Sequence, residues 1–511
     1  MSAPEPDHPR TADTAERAAA DGDLDTALSC ADAALQADDP DEQVRGATVL
    51  AAVLPQRGLL ARGADVHRWL IDRQGVATAG ATVALLGTGA LAEGRQAATA
   101  RRGLPALRDT ADTLTAQGLL ASVDGSAGTA LSLLVRATTA LASSVERSPM
   151  GDSPAALGAL LALHRGEPEL ADPLLDLAVD ADLGGPALRR RHLLLRGWAA
   201  LLRDDEEAAR SALAATADLA RAAEPRDELT AVALEVALAR RAGDTRGLLD
   251  LWSRARQALL RHPVDLYCLL PVGELAIAAA RLGETRWVEP HLAEATTLLE
   301  ALGGPASWGT SWHWAGLHAA ITAHDLTAAG THAAALEAAV AANDRAAAPA
   351  RAARVWLAVL EGVVDAEEVA RAAAGLRAVG LGWDGTRLAG EAAIRTTDRA
   401  DSAALLACAR TLQAGRAPVA PAPVQAPDAE ASRAAASVHA RRAGAAALTE
   451  RERDIAALVL EGLTYREIAT RLFLSAKTVE HHVSRIRRRL GSESRAELFS
   501  ELRVLVGASG L

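Results

Sequence analysis

Lys477, Glu480, His481, Ser484, Arg485 and Arg488 stand at spacings of three and four residues, so in a helix they share one face. Their types suit one chemistry. Lysine and arginine pair with phosphate oxygens, hydroxyl and imidazole groups donate or accept, and a carboxylate accepts from an amino group such as cytosine N4. The surrounding stretch, SAKTVEHHVSRIRRRLG at 475–491, holds five basic side chains and one acidic one. Lys477 is the sole lysine in a 511-residue chain whose formal net charge is −11. From Arg441 to the end there are 13 Lys+Arg against 9 Asp+Glu, a net of +4, which leaves 41 against 56 and a net of −15 for residues 1–440. A basic end on an acidic chain points to an anionic partner for that end.

These residues need a helix that is anchored from behind. Val479, Val483, Ile486 and Leu490 recur at four, three and four residues and form the opposite, apolar face. Ser475 is placed to cap the helix start. Thr449 with Glu452, Thr464 with Glu467 and Ser494 with Glu497 have the spacing of capping boxes, which marks three more helix starts. The first of these helices carries Ile455, Leu458 and Val459 on one face and stops at Gly462; the second is short, Thr464 to Leu472, and buries Ile468 and Ala469. A brief turn, Phe473-Leu474-Ser475, joins it to the basic helix. Two short helices joined by a tight turn, the second presenting a polar face, predict a helix-turn-helix. Its second helix enters the major groove and its free N-terminal amides meet a phosphate.

On these residues the segment resembles the LuxR-type (GerE-like) DNA-binding domain. Leu448, Thr449, Arg451, Glu452, Gly462, Leu463, Glu467, Ile468 and Ala469 match, followed by Leu472, Ser475, Thr478, Val479, His482, Val483, Ile486, Leu490, Gly491 and Arg495, over about 60 residues. The resemblance implies a four-helix domain that binds double-stranded DNA as a homodimer, with Ser475, Lys477, Thr478, Glu480, His481, Ser484, Arg485 and Arg488 in or beside the groove. It implies transcription regulation, with an effector or protein signal and RNA polymerase as further partners. Glu480 departs from the lysine common at that position. In the last helix Leu498, Leu502 and Leu505, flanked by Phe499 and Val506, make an apolar stripe. So small a domain has little core in which to hide it, and the resemblance assigns it to the dimer contact.

Other groups of residues suggest other chemistry. SWGTSWHWAG at 307–316 places Trp308, Trp312, His313 and Trp314 together, which suits either the core of an alanine-rich domain, the favoured role, or an effector platform. His481 and His482 point about 100° apart on a helix and lack companions for a metal site, and His482 falls nearer the buried face. No P-loop is present, since Lys477 follows Ala476, and LLGTGALAEG at 85–94 has the wrong glycine spacing. Cys30, Cys268 and Cys408 are isolated, which fits a reducing cytoplasm. No catalytic constellation, metal site or cofactor loop emerges, and no apolar run approaches the roughly 20 residues of a membrane span.

The rest of the chain reads as helix. Alanine and leucine dominate and aromatics are 3%. A turn element recurs as HRGEPELA (164–171), LRDDEEAA (202–209), RAGDTRGL (241–248), RLGETRWV (281–288) and TAHDLTAA (322–329), centred near Gly166, Asp204, Asp244, Glu284 and Asp325 and spaced 38 to 41 residues apart. Earlier copies are expected at DGDLDTAL (21–28) and ARGADVHR (61–68), and a weaker one at EGVVDAEEVA (361–370). Hairpins of this period cannot bury their own apolar faces and must stack, which resembles TPR-like solenoids. The expected fold is therefore all-α: a TPR-like α-solenoid over 1–413 that receives a signal or partner, a Pro/Ala-rich linker over 414–445, and the helix-turn-helix domain over 446–511. The expected function is a cytoplasmic, DNA-binding transcriptional regulator rather than an enzyme. The alternative is a helical-repeat scaffold for proteins with an accessory DNA-tethering tail.

Overall fold

A computed structural model describes residues 11–99, 107–144 and 149–414, together with the single positions Ile455, Leu458, Val479 and Val483. Packing divides the chain into two units, Met1–Pro418 and Val419–Leu511. Among the described residues there are 22 α-helices and three short 3₁₀ helices, and no strand. The linker expected over 414–445 lies outside the described residues except for Ala414, which ends the helix Arg399–Ala414.

The recurring turn is the bend inside a hairpin, and one backbone device builds it at all six of the following positions. Gly22, Gly166, Asp204, Gly243, Gly283 and His324 adopt φ between 61° and 75°. The N–H of the next residue then reaches the carbonyl five residues back: Asp23 to Ala18, Glu167 to Ala162, Asp205 to Ala200, Asp244 to Ala239, Glu284 to Ala279 and Asp325 to Ala320, at 2.7–2.9 Å. This left-handed cap ends the first helix. The following acid starts the second: the carboxylates of Asp23, Asp205, Asp244 and Asp325 accept from backbone N–H groups three residues on. At Gly166 a side chain is excluded twice, by its φ of 70° and because a Cβ would lie 2.5 Å from the carbonyl oxygen of Val379. The copy expected at ARGADVHR is overturned: residues 61–68 lie inside the helix Leu60–Gln74. At 361–370, Gly362 is left-handed and Asp365 caps the helix Ala366–Ala378.

Consecutive helices pair, as Pro186–Leu202 does with Glu206–Ala217, Pro225–Ala242 with Thr245–Arg261, and Ala306–Thr322 with Leu326–Ala339. The first helices of successive hairpins also pack on each other, from Pro154–His164 through Pro186–Leu202, Pro225–Ala242 and Leu269–Leu282 to Ala306–Thr322. Burial separates the two rows. Pro154–His164 buries all 11 of its residues, whereas Glu206–Ala217 buries only Ala209 and Thr216.

In a one-dimensional stack each repeat meets only its neighbours. Here short 3₁₀ segments also make contacts between distant repeats. The Tyr267 hydroxyl donates to the Val83 carbonyl at 2.7 Å, and Arg345 donates to the Arg165 and Gly166 carbonyls at 3.3 and 2.9 Å. The core accordingly forms two large clusters. One runs from Leu60 to Trp312 and the other from Trp314 to Leu405, so the boundary crosses the helix Ala306–Thr322.

Candidate functional site

The helix Ala306–Thr322 carries the tryptophan cluster between the two cores. Trp308 is fully buried; its indole N–H donates to the Ser122 hydroxyl at 3.0 Å, and its ring packs on His164 and Tyr267. Trp312 is buried in the same core and lines a groove of about 580 Å³ together with Gly273, Gly316 and His332. Trp314 belongs to the second core. It donates to Asp384 Oδ2 at 3.0 Å and meets His318 and Trp356 edge-on. His313 places Nδ1 3.2 Å from Nδ1 of His332. Burial, then the neighbouring His332, holds His313 down to about 4, so it is neutral at pH 7. The structure thus gives Trp308, Trp312 and Trp314 separate partners and does not bring their rings together as one platform.

Around Trp314 lies a buried polar cluster that sequence patterns missed. Arg240 and Glu274 pair through two hydrogen bonds, one of them Nη2 to Oε2 at 3.0 Å. Arg241 donates to the Leu201 carbonyl and to Asp204 at 2.7 and 2.9 Å. The ring of Trp383 receives the guanidinium groups of Arg240 and Arg387 at 4.6 and 5.0 Å. Burial pushes Arg387 down to about 10, with Asp384 opposing the shift. For Asp384, burial favours the neutral acid, but His318, Arg387, Arg240 and the Trp314 hydrogen bond outweigh it and hold the carboxyl below its ordinary value. Arg240 and Arg241 sit at the end of an apolar helix, where sequence reads them as solvated charges that favour a helix C-terminus. The partner that makes Arg240 a core residue comes from another hairpin. A second layer of this kind joins Arg191 to Asp152 at 3.1 Å, with Arg226 3.7 Å from the same carboxylate.

Of the C-terminal residues, Ile455, Leu458, Val479 and Val483 are helical, and none is more than 9% exposed. Ser475, Lys477, Thr478, Glu480, His481, Ser484, Arg485 and Arg488 lie outside the described residues, as do Leu498, Leu502 and Leu505. Val479 and Val483 stand four positions apart, and both are helical and buried. Among the described residues no group of three or more His, Cys, Asp or Glu side chains is placed to hold a metal ion, and no helix is long and apolar enough to cross a membrane.

Residues 446–502 match the profile of the bacterial regulatory proteins of the luxR family. The chain is 44% identical over 73 residues to the DNA-binding transcriptional activator DevR/DosR of Mycobacterium tuberculosis, covering 13% of this chain and 34% of that protein. It is 45% identical over 58 residues to a putative HTH-type transcriptional regulator of Mycobacterium bovis, covering 11% of this chain and 7% of that one. Against the spore germination protein GerE of Bacillus subtilis it is 42% identical over 55 residues, 11% of this chain and 74% of the relative. The chain therefore spans about a third of the first relative's length and a small fraction of the second's, and the likeness falls in its C-terminal unit.

Proposed function

The chain belongs, through residues 446–502, to the luxR family of bacterial regulatory proteins, and from that premise we propose that the whole protein is a sequence-specific transcriptional regulator. The C-terminal segment is a DNA-binding regulatory domain of this family. In our reading, the helix begun at Ser475 lies in the major groove. Lys477, Arg485 and Arg488 take phosphates or guanine edges, and Thr478, Glu480, His481 and Ser484 lie in or beside the groove. The observation that carries this reading is the family match over a segment whose helical spacing separates a basic face from an apolar one. The burial of Val479 and Val483 supports it, because both belong to the apolar face that this spacing sets apart.

The stripe of Leu498, Leu502 and Leu505 is the dimer contact in this proposal. The acidic hairpin array receives an effector molecule or a protein, in the cytoplasm, and the signal reaches RNA polymerase through the DNA-bound dimer. A dimer sets its two recognition helices about one DNA turn apart, so operators should be partial palindromes with half-sites roughly 10 base pairs apart. Mapping the DNA sites bound by the full-length chain across a bacterial genome tests this. Bound sites without twofold symmetry would overturn the dimeric arrangement, and the absence of enriched sites would overturn sequence-specific regulation.

A further inference from the structure

A second, unassigned space lies on the other side of Tyr267, whose ring packs on Trp308. A cavity of about 400 Å³ opens between the helices Pro40–Val53, Leu60–Gln74, Ala79–Gly87 and Leu107–Val123 and the segments around Asp152 and Tyr267. Protein cores leave few voids larger than a water molecule. A volume of this size falls in the range of small-molecule sites, roughly 300–1,000 Å³. Its walls are mostly apolar and include Val49, Leu60, Val83, Leu141, Met150 and Pro154.

Two buried side chains bring unused donors to this lining. His67 is 4% exposed. Its Nδ1 lies 3.4 Å from the Thr78 hydroxyl, and Nε2 has no protein partner. The Thr78 oxygen accepts from the Ala81 N–H as a helix cap, and we assign the tautomer in which the Thr78 hydroxyl donates its own hydrogen to His67 Nδ1. This assignment from the hydrogen-bond network leaves Nε2 as an N–H donor. Burial holds His67 down to about 4, so the ring is neutral at pH 7. Arg226 is 7% exposed. It donates from Nη1 to the Gly151 carbonyl at 2.7 Å and from Nε to Asp227 at 3.4 Å, which leaves Nη2 without a protein hydrogen bond.

The charged groups around the space already have partners. Glu16 pairs with Arg45 at 2.7 Å and Asp152 with Arg191 at 3.1 Å. Asp265 accepts from the Tyr267 N–H at 2.8 Å, and Asp112 is also engaged. Arg226 has Asp152 and Asp227 beside it. A ligand anion would meet an Arg226 already flanked by two carboxylates, and a ligand cation would compete with the ion pairs and hydrogen bonds these acids already make, so burying either is costly.

We propose that this cavity binds an uncharged, mainly apolar organic molecule whose oxygen acceptors take the N–H groups of His67 and Arg226. The assignment rests on the reading of the hairpin array as the signal-receiving unit and names the chemical class of its signal. A space with the same donors filled by water alone is the competing outcome.

The test uses the full-length protein and two fluorescent probes. One is 6-propionyl-2-(dimethylamino)naphthalene, a neutral ketone; the other is the anion 1-anilinonaphthalene-8-sulfonate. The ketone should bind saturably, one per chain, and at least tenfold more tightly than the sulfonate. His67→Leu, which keeps the volume and removes the donor, should weaken ketone binding about tenfold, as loss of one buried hydrogen bond does. Val83→Trp should abolish binding by filling the space, with a thermal melt to confirm that the variant folds. No saturable ketone binding, unchanged binding in both variants, or equal affinity for the sulfonate would overturn the proposal. DNA binding measured on the same preparations separates the two readings. Specific DNA binding without ketone binding ends the cavity assignment alone. Ketone binding that both variants weaken, in a protein that ignores DNA, upholds the cavity and ends the regulator reading.

Discussion

The indole N–H of Trp314 donates to Oδ2 of Asp384 at 3.0 Å, across 70 residues of chain. This bond brings the tryptophan helix against the helix Gly382–Arg395 inside the second core, and it fixes a carboxylate that faces Arg387. Asp384→Asn keeps the shape and removes the charge that opposes the downward shift of the half-buried Arg387. The expected loss of stability is roughly 1–2 kcal/mol, as for weakening one charge-assisted hydrogen bond in a core. Chemical denaturation of the full chain measures it. A loss below ~1 kcal/mol would mean that Arg387 is compensated elsewhere.

Acid should weaken the hairpin array well before ordinary carboxylates titrate. Burial holds His67, His192, His313 and His318 down to about 4 and His164 down to about 3. An unfolded chain protonates these rings near pH 6.5, while the folded protein keeps them neutral. Their contribution is thus complete above pH 6.5 and is lost as pH falls through the window towards 4. Each such histidine adds about 1.4 kcal/mol per pH unit within that window. The thermal midpoint should therefore fall steeply between pH 7 and 5. A flat profile would contradict the burial of these rings as neutral groups.

The hairpin turns make a prediction of opposite signs at equivalent positions. A Cβ at Gly283 would meet nothing within 4 Å, so Gly283→Ala isolates the left-handed backbone and should cost about 1–2 kcal/mol. His324 holds the same conformation at φ 62° with a side chain present. His324→Gly should stabilise by a few tenths to ~1 kcal/mol, because glycine relieves that strain but loses more freedom on folding. Paired melts of the two variants check this. A stabilising Gly283→Ala would refute the shared turn.

These turns were legible in sequence because their chemistry is local: a residue tolerant of positive φ, then a capping acid, repeated at a near-constant period. The same logic misread Gly63. There the glycine is an ordinary helical residue inside Leu60–Gln74, and a Cβ would make only a van der Waals contact with Pro55 at 3.4 Å. Burial of the tryptophans followed from their size in an alanine-rich core, but Ser122 and Asp384 as their partners did not, being 186 and 70 residues away. Charged core residues such as Arg240 and Glu274 were illegible for the same reason. Each looks solvated until the fold supplies the other. The donors of His67 and Arg226 come together only when helices from different hairpins enclose one cavity. In the C-terminal unit, the spacing of Val479 and Val483 predicts that both are buried, and both are.

The central claim is that Lys477, Arg485 and Arg488 lie against DNA. It is tested most directly by the salt dependence of operator binding by the full-length chain, with and without Arg485→Ala and Arg488→Ala. Each phosphate contact contributes about −0.9 to the slope of log affinity against log salt on duplex DNA. The account predicts a steep negative slope that becomes shallower by up to about 2 in the double variant, together with weaker binding. Affinity that does not change with salt, or a slope and affinity untouched by the double substitution, would contradict it.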